Sequence, residues 1–226
     1  MKTGSNVNAI FQREGSVLRA TVGGAPRALL IAAALFVAVA GTTSLWDMTM
    51  FAPQYGDGLR LHIHSSRLEG GNQGQDLKEI NLLNHYIGMH ELSQESFTEF
   101  QWMPFMMGAL ALLFLRAAFF GTVGHIVDVA VLFGYCSLFS LWSFAHKLWA
   151  YGHELAPSAP VKVAPFMPPV FGRAQLANFE VYSYPGLGSY AFAAVGLALV
   201  AALYLGFRGA RAATAARPLG AAVTEP

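Results

Sequence analysis

Residues Trp102 to Asp128 read WMPFMMGALALLFLRAAFFGTVGHIVD and carry one charge, Arg116, between their ends. A helix needs about 20 mainly apolar residues to cross a bilayer core. The stretch is therefore too long for one crossing and too short for two. Apolar residues flanking it extend both ends, which gives span two over 100–119 and span three over 124–146, closed into a hairpin at Phe120-Gly121. Working outward, residues 28–46 are uncharged between Arg27 and Asp47 and form span one. Residues 188–207 form span four, stopped by Arg208. The remaining segments are an N-terminal arm (1–27), two long polar loops (47–99 and 147–187) and a tail (208–226).

Composition agrees. Of 226 residues, 54% are hydrophobic and 12% charged, against about 25% charged in soluble domains. The net charge of +1 gives no field that would gather nucleic acid. The single cysteine, Cys136, excludes an internal disulfide and a thiolate metal cluster. The apolar stretch after Arg27 is too long for a signal-peptide core, so the N-terminus reads as uncleaved.

Basic residues near span ends set orientation. Lys2, Arg13, Arg19, Arg27, Arg116, Arg208, Arg211 and Arg217 all fall on one side of a four-span chain. That side reads as cytoplasmic, with both termini on it. The two long loops hold six basic and ten acidic residues and face outward, toward the periplasm of a bacterial inner membrane. Trp46, Trp102, Trp142 and Trp149 cluster toward the outer boundary, as an aromatic belt does. The expected fold is thus an all-α membrane protein of four transmembrane helices with a small α+β outer cap built from loops 47–99 and 147–187.

Within the first loop, Leu59, Leu61 and Ile63 alternate with Arg60, His62 and His64, which predicts a strand with both histidines on its polar face. Asp76 and Glu79 resemble a capping box opening a helix whose apolar positions are Leu77, Ile80, Leu83 and Ile87. Gly88 ends it, and Ser93 opens a second short helix. The second loop holds Pro157, Pro160, Pro165, Pro168, Pro169 and Pro185 and is expected to be an ordered but irregular lid.

Six of the seven histidines lie in or beside the outward loops. Imidazole and thioether side chains suit soft metal ions, copper above all. Met48 and Met50 form a thioether pair just outside span one, and His62 and His64 an imidazole pair on one strand. His85 and Met89 are four residues apart, near each other if the last helical turn persists. His153 can meet His85 if the second loop folds over the first. The competing readings are interfacial packing for the methionines, solvated strand histidines, and hydrogen bonds that tie the loops together. His125 and Asp128 lie inside span three. Ionisable groups in spans are costly, and the expected partner of Asp128 is Arg116, across the hairpin. No nucleophile elbow, phosphate loop or zinc-protease helix occurs, so the chain reads as a non-enzyme.

Ala52-Pro53-Gln54-Tyr55, Gly58-Leu59, the run NLLNHYIGM from Asn81 to Met89, Glu99-Phe100 and Pro104 carry a family resemblance. So do Tyr151-Gly152-His153, Leu155, Pro157, Pro168-Pro169, Gly172, Asn178-Phe179 and Pro185. Together they resemble a family of small bacterial membrane proteins encoded beside nitrous oxide reductase maturation genes, near the copper chaperone of that enzyme. The likeness covers most of the chain between residues 46 and 190. It implies an accessory role in loading copper into a periplasmic cuproenzyme, with the enzyme or a copper chaperone as partner and His85, Met89 and His153 as copper ligands. Met48, Met50, His62 and His64 fall outside the family pattern, and Tyr55-Gly56-Asp57-Gly58 stands where the pattern has Tyr-Pro-Glu-Gly. The alternative is a structural or docking subunit of a membrane-bound complex with no metal of its own. A haem- or quinol-linked carrier is a third reading, opposed by the lack of span histidines at matched depths.

Overall fold

The computed structural model describes residues 15–176 and 179–215. Lys2, Arg13, Asn178 and Arg217 lie outside the described residues. Four helices are long and apolar enough to cross a membrane, as a membrane protein requires: α1 (Gly24–Thr42), α3 (Glu99–Phe120), α4 (Val123–His153) and α5 (Leu187–Ala215). A shorter helix, α2 (Gln75–Ile87), lies between α1 and α3. Among the described residues there are also five strands: β1 (Trp46–Ala52), β2 (Tyr55–Ile63), β3 (Leu68–Gly70), β4 (Gly172–Leu176) and β5 (Phe179–Pro185). By contacts the chain divides into two compact units, one of Met1–Leu35, Leu110–Phe133 and Ala194–Pro226, the other of Phe36–Ala109 and Gly134–Ala193.

Several span ends differ from the sequence expectation. α5 runs to Ala215, through the Arg208 expected to stop it, because a basic residue has good helix propensity and does not end a helix. α1 stops at Thr42, and Trp46 already belongs to β1. The hydroxyls of Thr42 and Thr43 donate to the Val39 carbonyl at 3.0 and 2.8 Å, which satisfies a helix-end acceptor and closes the helix. α4 continues to His153 because nothing before Gly152 breaks it. At 31 residues it is about 46 Å long, well beyond the ~30 Å a bilayer core demands.

In the first unit, Gly121 takes a left-handed φ of 60° and ends α3, its N–H donating to the Ala117 carbonyl at 2.9 Å. The segment before α1 is bound to this turn. Val22 N–H donates to the Gly121 carbonyl at 2.8 Å and Val123 N–H to the Ala20 carbonyl at 3.1 Å. The Arg27 guanidinium packs on Gly121, where a Cβ would collide with it, and donates to the Phe119 carbonyl at 3.2 Å. A cation at a helix C-terminus is well placed against the dipole.

In the second unit the strands form one antiparallel sheet, in the order β3-β2-β1-β5-β4. The 147–187 loop is irregular over residues 154–171, as expected from its prolines, and then forms a β4–β5 hairpin, which was not expected; the prolines up to Pro169 precede the hairpin and only Pro185 falls in it, at the end of β5. Strands from the two inter-helix loops pair directly, with Met48 opposite Ser183 and Met50 opposite Val181.

Strand alternation gives the sheet two faces. One carries Met48, Leu59, Leu61, Leu68 and Val181, which pack with Ile80 and Leu83 of α2 into a core. Gly70 makes that packing possible, since a Cβ there would lie 2.6 Å from the Leu77 backbone nitrogen. The expected capping box does not form. Gly74 is the N-cap residue; Asp76 instead accepts the Arg60 backbone N–H at 2.9 Å, and Glu79 accepts the Tyr55 hydroxyl. Gly88, at φ 80°, ends α2 as expected, and Met89 N–H donates back to the Asn84 carbonyl at 2.9 Å.

Candidate functional site

The face of the sheet turned away from α2 gathers the polar side chains. His62 of β2 stands directly opposite Asp47 of β1 and Glu69 of β3. Its Nδ1–H donates to Asp47 Oδ1 at 2.7 Å and orients the ring. On the same face Phe51 meets Tyr182 edge-on at 5.5 Å, and Tyr184 meets Phe171 at 5.5 Å. Arg173 and Glu180 approach to 3.7 Å. Asp47, His62, Glu69, Arg173, Glu180 and Tyr184 are all more than a third exposed. The face is thus an open platform of mixed charge with tyrosine and phenylalanine between.

His64 does not share that face as the alternation predicted. It lies one residue past the end of β2 and is buried, with Nε2 3.3 Å from Glu69 Oε2 and Nδ1 enclosed without a hydrogen-bond partner. Burial, then the neighbouring Arg67 charge, holds its pKa below the ordinary 6.5, against the opposing pull of Glu69 and the Thr43 backbone. The same Glu69 oxygen accepts from Arg67 Nη2 at 3.0 Å, and that hydrogen bond keeps the carboxyl below its ordinary 4.5. The two histidines are therefore divided, one half-exposed and one enclosed, each with its own carboxylate. Met48 is buried and Met50 half-buried, both packed in the core against α2. Neither pair is arranged as an open two-donor site.

The third set, His85, Met89 and His153, lies where the two loops meet. Ala156 N–H donates to the Gly88 carbonyl at 2.7 Å, Val161 N–H to the Tyr86 carbonyl at 3.0 Å, and Phe166 N–H to the Gly152 carbonyl at 3.0 Å. Glycine is required twice in this junction. A Cβ at Gly88 would lie 2.8 Å from the Ala159 methyl, and one at Gly152 would strike the Phe166 carbonyl. His85 is exposed, Met89 half-buried and past the helix end, so the two do not stack on successive turns. His153 Nδ1–H donates to the Trp149 carbonyl at 2.9 Å, and its ring stacks on that indole at 4.5 Å. Instead His90 approaches the second loop, with Nε2 3.9 Å from Glu154 Oε2. Among the described residues, no three His, Cys, Asp or Glu side chains form a group that could hold a metal ion. The junction presents its donors singly, His85 exposed and Met89 and His153 half-buried.

At the hairpin, Arg116 and Asp128 do not form the expected ion pair. Arg116 sits over the Phe120 ring at 5.3 Å, and His125 stacks on the same ring at 5.3 Å while Nδ1 shares a 2.6 Å hydrogen bond with Thr122. Asp128 is exposed, and no ion pair reaches it among the described residues. An arginine beside an aromatic ring gains a cation–π contact without stretching to the carboxylate.

Sequence reasoning missed Asp47 and Glu69, the carboxylate partners of His62 and His64, and did not foresee that His90 would approach Glu154. It also missed Glu99, whose Oε1 accepts from Ser143 at 2.7 Å and whose Oε2 is enclosed without a partner. Only register and helix ends bring these groups together, and neither is written in a single segment.

The chain matches no protein-family model and no curated protein.

Proposed function

We propose that this chain is a non-enzymatic accessory protein of a bacterial inner membrane, with its sheet on the periplasmic side. There it docks a periplasmic cuproenzyme of the nitrous oxide reductase type during assembly. Two observations support the sidedness. Strands from both long loops belong to one sheet, which supports a common side for the two loops. The basic residues concentrate in the other segments. The docking role rests on the sheet itself. One face is closed by α2, and the other leaves charged and aromatic side chains exposed. Exposed tyrosine, phenylalanine and arginine are the side chains enriched at partner-binding surfaces, and the carboxylates beside them suit a polar rim.

Copper hand-off is the second reading, favoured by the junction of the two loops, where His85, Met89, His90 and His153 supply single imidazole and thioether donors. Copper here is cargo. An ion held by one or two exchangeable donors leaves readily for a tighter site, as a transfer protein requires.

One experiment separates the two. The full chain, in lipid nanodiscs, is tested for binding to purified copper-free and copper-loaded enzyme, alongside copper(I) titration. Docking predicts binding to both enzyme forms that is lost on Tyr184→Ala with His62→Ala and kept on His85→Ala with His153→Ala. Enzyme binding untouched by the sheet substitutions overturns the docking role. Copper uptake abolished by His85→Ala and His153→Ala establishes the hand-off instead, and no uptake above a mock preparation removes it.

A further inference from the structure

α4 is the least covered of the four long helices, with 11% of its most apolar window buried against 28–33% for the others. Its uncovered side is patterned. His125, His146 and His153 are separated by multiples of seven, and Asp128 lies three residues after the first. These are the a and d positions of one heptad register, and every imidazole and carboxylate of α4 falls on it. The register continues through Leu132, Tyr135, Phe139, Trp142 and Trp149, all exposed. From Phe139 to His153 the rings already lie in one column, with centroids 4.5–6.0 Å apart.

A helix face that meets only lipid needs apolar side chains but no 3.5-residue period. That period is what a second, supercoiled helix imposes. Copies of one membrane protein insert in the same orientation, so a pair packed along this seam is parallel. In parallel packing an a-position knob contacts the d residue three positions on in its neighbour. His125 of one copy would then meet Asp128 of the other, and the twofold axis would repeat the contact. This supplies the partner that Asp128 does not find among the described residues, and an unpaired carboxylate within a span is costly. An imidazole donor set against a carboxylate acceptor is complementary between copies, which selects a second copy over an unrelated apolar helix.

We propose that the protein forms a parallel homodimer along the α4 heptad seam, held at its inner end by two reciprocal His125–Asp128 pairs. The dimer does not depend on what the sheet docks.

The test is disulfide scanning of the full chain in native-like membranes, on a Cys136→Ser background. The dimer predicts strong crosslinking for Leu132→Cys, Phe139→Cys and His146→Cys, recurring every seven residues, and weak crosslinking for Leu138→Cys and Leu141→Cys. Asp128→Asn should weaken self-association in nanodiscs about tenfold, while His125→Lys, which keeps a hydrogen-bond donor, should largely preserve it; a tenfold change is ~1.4 kcal/mol. Crosslinking without the seven-residue period, or a single copy per particle at every protein-to-lipid ratio, overturns the proposal. Seam cysteines that react only with lipid-soluble probes overturn it as well, since lipid then covers the face.

Discussion

The two faces of the sheet are made by the same strands and behave as opposites. Met48, Leu59, Leu61 and Val181 face α2 and leave almost no surface to solvent. Asp47, His62, Glu69 and Tyr184, at alternate positions of the strands of that sheet, stay open. The closed face is specified by volume, down to the missing side chain of Gly70. The open face is specified by charge and register, and nothing in the fold requires it to be so decorated. Removing atoms should therefore be costly to stability on one face and costly only to binding on the other.

The largest effect is expected on the closed face. Leu61→Ala removes a 4% exposed side chain from a core made by β1, β2, β3, β5 and α2, and should destabilise by about 2–5 kcal/mol. Gly70→Ala attacks the same packing by addition, since its Cβ meets backbone that no rotamer can clear. Thermal unfolding in detergent, followed by near-ultraviolet circular dichroism, reads both. A Leu61→Ala midpoint equal to that of the parent chain would break the comparison at its strong end.

Next come the polar clamps behind the closed face. Asn81 of α2 both donates to the Leu92 carbonyl at 3.1 Å and accepts its N–H at 2.8 Å. Asn81→Ala leaves a half-buried backbone pair unmet, a loss of about 1–3 kcal/mol. Asn81→Asp, which keeps the acceptor alone, should fall between that variant and the parent.

These clamps show how far the sequence could be read. The four apolar helices, the strand at Leu59–Ile63, the helix from residue 75 and its stop at Gly88 follow from local signals of hydropathy, alternation and a left-handed glycine. The partnerships do not. A two-residue turn at Pro53-Gln54, which pairs Ala52 with Tyr55, would place Asp47 opposite Arg60. A register shift between Met50 and Ala52 places it opposite His62 instead. Gly58, at φ 77°, sits within that stretch with the Phe51 ring where its Cβ would be. The β4–β5 hairpin was obscured because prolines dominate the residues around it. Met48 and Met50 looked like ligands because alternation says which residues share a face but not which face α2 will cover.

His64 offers a smaller, pH-dependent effect. Its folded pKa is lowered, mainly by burial, so the folded state favours the neutral ring. Between the folded value and the ordinary 6.5, the unfolded chain binds more protons, and stability rises with pH. The contribution is complete above 6.5 and is lost as pH falls toward the folded value. Glu69, lowered by Arg67, adds a separate loss below the ordinary carboxylate range. His64→Gln should flatten the unfolding profile just below pH 6.5 and leave the acid limb in place. An unchanged slope in that window would mean that His64 is solvated in the folded protein.

The smallest stability effect is expected on the open face, where the comparison is sharpest. The Asp47–His62 pair is about two-fifths exposed on both sides, and exposed pairs contribute about 0.2–1 kcal/mol. Asp47→Asn and His62→Ala should each leave the unfolding midpoint nearly unmoved, as should Tyr184→Ala with its ring at the rim. If the face is a docking platform, the same substitutions weaken partner binding far more than they weaken the fold, with Tyr184→Ala the most damaging because an exposed aromatic anchor has the most area to lose. A large drop in midpoint for His62→Ala would mean that the Asp47–His62–Glu69 row holds the strands together. The open face would then be a second structural face, and the division drawn from α2 would fail.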